Sequence, residues 1–380
     1  MRFLVVGHVV HKYQNGSYYA YGPYVREMNL WFKYVDKVII VAPLNKEIDP
    51  DPIDLPYKHD QVVFFPVPEF STQSVKNILS TLLHLPGIFW TVITAMRSAD
   101  HIHLRCPGNM GLIGALAQVF FRNKNKTAKY AGNWDRSSNQ PFSYRLQQKI
   151  ISSPFLAPKM KVLVYGEWPN ETENIVPFFT ATYSERDNVP LSNKEINLKK
   201  EINLIYVGGL YDGKQPLISA KVLLQLIKKG YSVKLDYFGE GPERKSIEEF
   251  RDGNGLENSL FLHGNVKADQ VKKAFQEAHF LIFISKSEGW PKVVAESMFW
   301  GCLPVTTPVS CVPQMLDFGN RGELVEGHVE EIAERVEHLI LAPDLYFQKS
   351  QKAAAWSRFY TLERFESEIR SLIYPESLAG

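Results

Sequence analysis

Phe280-Leu281-Ile282-Phe283-Ile284-Ser285-Lys286-Ser287-Glu288-Gly289-Trp290-Pro291-Lys292-Val293-Val294 is the run from which the fold of this 380-residue chain can be read. Its first five residues have the length and the Ile/Phe content of a buried strand. A polar loop follows. Pro291 suits the first position of a helix, where a missing N–H costs nothing. Val293, Val294, Ser297 and Met298 then recur at helical spacing, and Gly301 closes the run. Strand, loop and helix N-terminus in that order make an anion site at the carboxyl edge of a parallel sheet. Glu288 stands in the loop and Glu296 in the second helical turn, so the two carboxylates frame that site. Backbone N–H groups can hold phosphate there while the carboxylates accept from hydroxyls.

The same alternation runs from end to end. Expected strands in the first half are Arg2–Val6, Lys37–Val41, Val62–Phe65, His101–Leu104, Thr127–Ala131, Lys161–Val164 and Phe178–Thr182. After a polar break, Ile202–Val207, Ser232–Phe238, Leu260–Leu262, Phe280–Ile284 and Leu303–Thr306 continue it. Lys214 to Lys229 reads as an amphipathic helix closed by Gly230. Alternating strands and helices imply α/β architecture with parallel sheets. The expectation is a first domain over residues 1–186, a linker over 187–200, a second domain over 201–358 and a terminal helix within 359–380.

Composition is that of a soluble globular protein, with 45% hydrophobic and 22% charged residues. A net charge of +2 gives no bulk electrostatic case for nucleic acid. Cys106, Cys302 and Cys311 show no paired spacing, so neither a disulfide framework nor a zinc site is implied and a cytoplasmic setting fits. Met1 to Gly7 reads as a first strand rather than a signal peptide. Ile78 to Met96 is uncharged but broken by Pro86-Gly87, and reads as two helices on a sheet rather than a membrane span. Leu85, Ile88, Phe89 and Trp90 could also touch a membrane surface.

The two glutamates with seven residues between them, the apolar helix that carries the second and the closing Gly301-Cys302-Leu303-Pro304-Val305 resemble the retaining glycosyltransferases of the GT-B fold, group 1 (family four). That fold has two Rossmann-like domains facing a cleft, with a last helix that crosses back to the first domain. Three more segments carry the resemblance. Gly208-Gly209-Leu210-Tyr211-Asp212-Gly213-Lys214 resembles the phosphate loop, with Gly209 where relatives usually carry Arg and Gln215 where they carry Gly. Lys214 therefore carries over as the phosphate contact. Gly239-Glu240-Gly241-Pro242 is similar to the family's turn after the second strand. It is no dinucleotide fingerprint, because Arg244 replaces the third glycine. His263-Gly264-Asn265 resembles the edge of the base pocket.

The resemblance implies Glu288 on sugar hydroxyls, Glu296 on ribose, and Gly208, Gly209, Gly289, Trp290, Pro291 and Lys292 around the phosphates. On the acceptor side it implies His103, in Asp100-His101-Ile102-His103, which resembles the family's Asp-x-x-His-x-His strand entry, and Asn133 or Asp135 where relatives carry a histidine. The tyrosine-rich loop from His8 to Tyr24, with Gly16 and Tyr18, suits sugar stacking. Asp49-Pro50-Asp51 reads as an exposed loop rather than a metal site.

The implied activity is a metal-independent, retaining transfer from a nucleotide-diphosphate sugar to a saccharide or lipid-linked acceptor, with no cofactor. Surface polysaccharide or glycolipid synthesis is the implied setting, in the cytoplasm or at the inner face of the membrane. An epimerase or hydrolase of the donor, or an idle nucleotide-sugar-binding partner protein, are the rival readings.

Overall fold

The computed structural model describes every residue except 47, 52, 70–74, 192–193 and 375–380, and only the backbone of residues 75–82. The side chains of Ile78 and Leu82 therefore lie outside the described residues. Two compact units result, Met1–Phe178 with Glu366–Gly380, and Phe179–Phe365.

The first unit is built on β1 (Arg2–Val6), β2 (His11–Gln14), β3 (Ser17–Tyr21), β4 (Lys37–Asn45), β5 (Asp54–Pro56), β6 (Val62–Val67), β7 (His101–Cys106), β8 (Asn125–Tyr130), β9 (Met160–Tyr165) and β10 (Ile175–Phe178). A parallel run orders them β10-β9-β8-β7-β1-β4, with β6 on β4. Phe3, Leu4, Val5 and Val6 of β1 and Val38, Ile39, Ile40 and Val41 of β4 are all buried in it. Such unbroken apolar runs are what a sheet covered on both faces demands. Asp100 accepts from the Arg2 backbone N–H (2.7 Å) and guanidinium, pinning the start of β1 beside β7. Glu366 accepts from Lys33 Nζ (2.9 Å) and Tyr34 Oη (2.8 Å).

Three expectations for this unit need correction. The loop from His8 to Tyr24 holds a β2–β3 hairpin whose turn is Asn15 (φ 50°) and Gly16 (φ 80°). Asn-Gly with both residues at positive φ is the turn that matches strand twist. Val75–Ser98 is one helix with Pro86 inside, not two. Pro86 and Gly87 are exposed, so the interruption of the hydrogen-bond ladder faces water. The last strand is Ile175–Phe178 rather than Phe178–Thr182, because Val162 N–H bonds Asn174 O and sets the β9 register there.

The second unit carries β11 (Ile202–Val207), β12 (Val233–Phe238), β13 (Leu260–Leu262), β14 (Phe280–Phe283), β15 (Leu303–Thr306) and β16 (Glu323–Leu324), all parallel, in the order β13-β12-β11-β14-β15-β16. This is the doubly wound order, whose switch point lies between β11 and β14. The helix Pro216–Lys228 ends as expected at Gly230 (φ 92°), with Tyr231 N–H to Leu226 O and Gly230 N–H to Ile227 O. The division between units falls before the polar stretch read as a linker. Residues 179–191 and 194–200 pack in unit 2: Phe179 meets Tyr360 edge-on (4.8 Å), Asp187 pairs with Lys272 (2.6 Å), and half-buried Lys194 donates to Phe275 O (2.6 Å). Ser192 and Asn193 of that stretch lie outside the described residues.

Candidate functional site

The switch point of unit 2 is where the loops after β11 and β14 meet. After β11 the chain runs through Gly208 and Gly209 to a short 3-10 turn, Asp212–Lys214, and Gln215 (φ 42°) redirects it into Pro216 at the start of a helix. The loop after β12 lies directly on it. Gly208 N–H bonds Phe238 O (2.9 Å), Leu210 N–H bonds Glu240 O (3.0 Å), and Glu243 N–H returns to Leu210 O (3.0 Å). Any side chain at Gly239 or Gly241 would run into the backbone of Gly208 or Leu210. Those glycines serve the close approach of two loops.

After β14, Lys286 N–H bonds Gly213 O (2.9 Å) and Ser285 Oγ donates to the same carbonyl (3.3 Å). The two loops are thus clamped, and they bring Lys214 onto Glu288: the ammonium bonds Oε1 and lies 5.1 Å from the Phe283 ring. The side chain of Glu288 is 10% exposed and that of Lys214 32%. The two residues expected to act separately, on sugar and on phosphate, neutralise each other here. Lys286, a further cation of this loop, pairs with exposed Asp212 (2.7 Å).

Gly209, where the family arginine is missing, is covered by the ring of Tyr211. A side chain built at Gly209 would overlap that ring. Tyr211 is 56% exposed, and Tyr206 Oη donates to Gly209 O (3.1 Å). No sequence signal marks Tyr211, since nothing in its spacing links it back to a residue two before it.

Pro291 is the N-cap of the helix Lys292–Phe299 rather than its first residue, and no side chain caps that end. Its first N–H groups are the expected phosphate donors. Gly289 O accepts from Ser310 Oγ (3.0 Å), holding the loop before it. Trp290 stacks on Trp356 (6.0 Å) and edge-on to Tyr360 (5.8 Å), so its ring braces the loop. Glu296 faces a pocket lined by Thr180, Thr182, Tyr183, Trp290, Lys292 and Tyr360. It accepts from Thr182 Oγ1 (2.7 Å). Burial raises its pKa, against the opposing pull of Thr182 and Lys292.

At the other side of β11, Gly264 (φ 69°) accepts from Gly239 N–H (2.9 Å) and lies under the Glu240 carboxylate. Arg244 joins Glu240 (2.6 Å) to Glu248 (2.8 Å). Glu240 and Arg244 therefore stand over Gly264, beside Asn265. His263 stacks on Phe238 (4.6 Å) and meets Asp236 (2.6 Å), the packing role of a strand-end histidine.

In unit 1 the acceptor-side residues scatter. His103 is fully buried against Trp31 (4.6 Å), meets Thr127 Oγ1 (2.8 Å), and has its pKa lowered well below the ordinary range by burial. It cannot touch an acceptor. Its strand is covered by the Gly22–Phe32 helix, which sequence spacing could not show. Gly16 is a hairpin tip, and Tyr18 stacks on Phe64 (4.7 Å). Asn133 Oδ1 accepts from Asp135 N–H (2.9 Å), and Asp135 from Ser137 (2.8 Å), so both shape a turn. The switch point of this sheet, between β1 and β7, instead gathers Gly7, His8 and Arg105, and Glu27 takes both Arg105 and buried Lys129 (3.0 Å).

Among the described residues no group of three or more His, Cys, Asp or Glu could hold a metal ion. Asp51 pairs with Lys12, and Asp49 accepts from Gln14 (2.9 Å). The three cysteines are free and buried.

Residues 190–356 match the family model described as glycosyl transferases group 1. An uncharacterized glycosyltransferase of Haemophilus influenzae is 27% identical over 186 residues, 48% of this chain and 51% of that protein. The chain thus aligns with about half the length of that relative. Protein CapJ of Staphylococcus aureus is 21% identical over 304 residues, 76% of this chain and 74% of CapJ. The Anabaena protein HepE, solved with UDP and glucose, superposes with a TM-score of 0.64 at 15% identity over 98% of each chain. At that identity the likeness is one of fold.

Proposed function

We propose that this chain, a member of the group 1 glycosyltransferases with the GT-B fold, moves a sugar with retention of configuration from a nucleotide-diphosphate sugar to a saccharide or lipid-linked acceptor, without a metal. The observation that carries the reading is the meeting of Lys214 and Glu288 at the switch point of unit 2, beside an uncapped helix N-terminus. In this reading the pyrophosphate enters between the two loops. Lys214 turns from Glu288 to the leaving phosphate, and the N–H groups of Lys292 and Val293 share its charge. The released Glu288 carboxylate accepts from sugar hydroxyls, and Glu296 from the ribose. Glu240 and Arg244 shape the base pocket at Gly264 and Asn265. The UDP held by HepE supports a nucleotide donor.

The barrier is departure of a phosphate from a sugar with oxocarbenium character. No side chain is assigned as a nucleophile, so the acceptor oxygen attacks from the face the phosphate leaves, and that phosphate takes its proton. Polysaccharide or glycolipid synthesis in the cytoplasm, at the inner face of the membrane, belongs to the same reading.

A panel of nucleotide sugars screened by thermal shift tests it. A ligand at 100 times its dissociation constant stabilises by about 2.7 kcal/mol. Stabilisation by at least one nucleotide sugar, lost in Glu296→Ala, is expected. A panel that leaves the melting temperature unmoved counts against the reading. Turnover of that donor only when an acceptor is supplied separates transfer from epimerisation and hydrolysis.

A further inference from the structure

Exposed apolar side chains are ordinary when scattered. Here they cluster. Six large apolar side chains among the described residues are two-thirds or more exposed: Leu83 (78%), Trp90 (67%), Phe120 (72%), Phe142 (72%), Phe155 (73%) and Phe318 (77%). All but Phe318 belong to one helical layer of unit 1.

That layer is made of the helices Val75–Ser98, Asn109–Ala117 and Phe142–Ile151. The first packs on the second, the second on the third, and the first two cover β1 and its neighbours. Ile88, Val92, Ala95 and Met96 turn inward to the sheet and are buried. Leu83, Trp90 and Arg97 recur at seven-residue spacing on the opposite side and are exposed. Phe89 meets Phe120 edge-on (6.4 Å), joining the first helix to the turn after the second. Arg122 then lies 5.1 Å over the Phe155 ring and donates to Phe155 O (2.9 Å), which extends the same surface past the third helix. On that helix Phe142, Arg145 and Lys149 are all exposed.

The charge of this region is as one-sided as its apolar exposure. Residues 83–166 carry eleven lysines and arginines against Asp100 and Asp135; Glu27 answers Arg105 and Lys129, Glu171 answers Arg136, and Lys126 is buried in the sheet. Asp100 is taken by Arg2 (2.6 Å) and Asp135 by its own turn. The outward side chains are therefore bulky apolar groups interleaved with Arg97, Arg122, Arg145, Lys149 and Lys159, with no acid among them.

We propose that this layer is a docking surface for an anionic lipid bilayer. Tryptophan, phenylalanine and leucine enter the headgroup boundary, and the arginines and lysines meet lipid phosphates. A nucleic acid would satisfy the cations but leave five apolar side chains in water. No helix among the described residues is long and apolar enough to cross a membrane, so the contact is one of surface. Vesicle binding needs neither donor nor turnover, so its outcome is independent of the transfer reading.

The test is co-sedimentation of the full chain with vesicles of phosphatidylcholine alone and with 30% phosphatidylglycerol. Binding to the anionic vesicles, weakened by high salt, is expected. The pair Trp90→Ala, Phe120→Ala should lower it by at least tenfold. Because both side chains are exposed, the fold should survive, and an unchanged melting temperature checks this. The reversal Arg122→Glu, Arg145→Glu should lower it independently. Quenching of tryptophan fluorescence by brominated acyl chains, lost in Trp90→Phe, would locate the contact. Retention in the supernatant with anionic vesicles at low salt overturns the proposal. So does binding that both double variants leave unchanged, or a finding that they abolish self-association instead, which would make the face a protein interface.

Discussion

Glu288 holds the ammonium of Lys214 across the switch point of the second sheet, so the site's cation and its mostly buried carboxylate are stored as a pair. The pair lets a largely buried carboxylate exist without an uncompensated charge. It also supplies a cation that a pyrophosphate can take over. The consequences can be measured.

In the proposed reaction charge grows on the leaving phosphate as the sugar bond breaks, so a Lys214 contact there would strengthen in the transition state. Lys214→Ala should lower kcat by on the order of 10²-fold. It should weaken nucleoside binding much less. Lys214→Arg should recover part of the loss, since charge is kept while geometry changes. Steady-state kinetics beside nucleoside titration separates the two effects. An intact kcat in Lys214→Ala would remove the lysine from the reaction.

The missing arginine at Gly209 has a local reason, the Tyr211 ring lying on that glycine. Restoring the residue alone should therefore fail. In the Lys214→Ala background, Gly209→Arg should recover little activity, and Gly209→Arg with Tyr211→Ala should recover more. Equal rescue with and without the tyrosine would show that the ring does not control the position.

Glu296 links stability to pH. Burial raises its folded pKa above the unfolded value. The native state then binds the proton more tightly, so ionising Glu296 costs stability. That cost is fully present above the raised pKa and vanishes below about 4.3, the unperturbed glutamate value. Glu296→Gln keeps an acceptor for Thr182 without the charge. It should melt higher than wild type at pH 7 and match it near pH 4. The same change should weaken donor binding by roughly 1.5–3 kcal/mol if the carboxylate holds ribose hydroxyls. Parallel melting curves and calorimetry read both sides. A variant that melts lower at pH 7 would contradict the burial argument.

No metal is expected to take part, because Asp49 and Asp51 are engaged by Gln14 and Lys12. Transfer should survive exhaustive chelation and the double change Asp49→Ala, Asp51→Ala. Activity lost with EDTA and restored by Mn²⁺ would reject this.

The sequence made the second unit more legible than the first. The strand, loop and helix around Glu288 are written in local signals, a five-residue apolar run, Pro291 and Gly301. Such signals act within a few residues and survive folding unchanged. Lys214 meeting Glu288 depends on two loops 74 residues apart and on the β11–β14 pairing. No spacing rule contains that. His103 sits on a strand whose cover, the Gly22–Phe32 helix, comes from distant sequence, so its burial was hidden. Asn15-Gly16 was the opposite case, a local hairpin signal flanked by tyrosines that the sugar-binding reading absorbed. Pro86 reads as a break because propensity ignores exposure, yet a helix can carry a proline where the gap faces water.

The most direct test of the central claim is the anomeric configuration of the product, read by proton NMR during transfer from whichever nucleotide sugar the thermal screen selects. Front-face return at the Lys214–Glu288 site requires the newly made bond to keep the donor's anomeric configuration. A product of opposite configuration from the first detectable turnover would contradict the account.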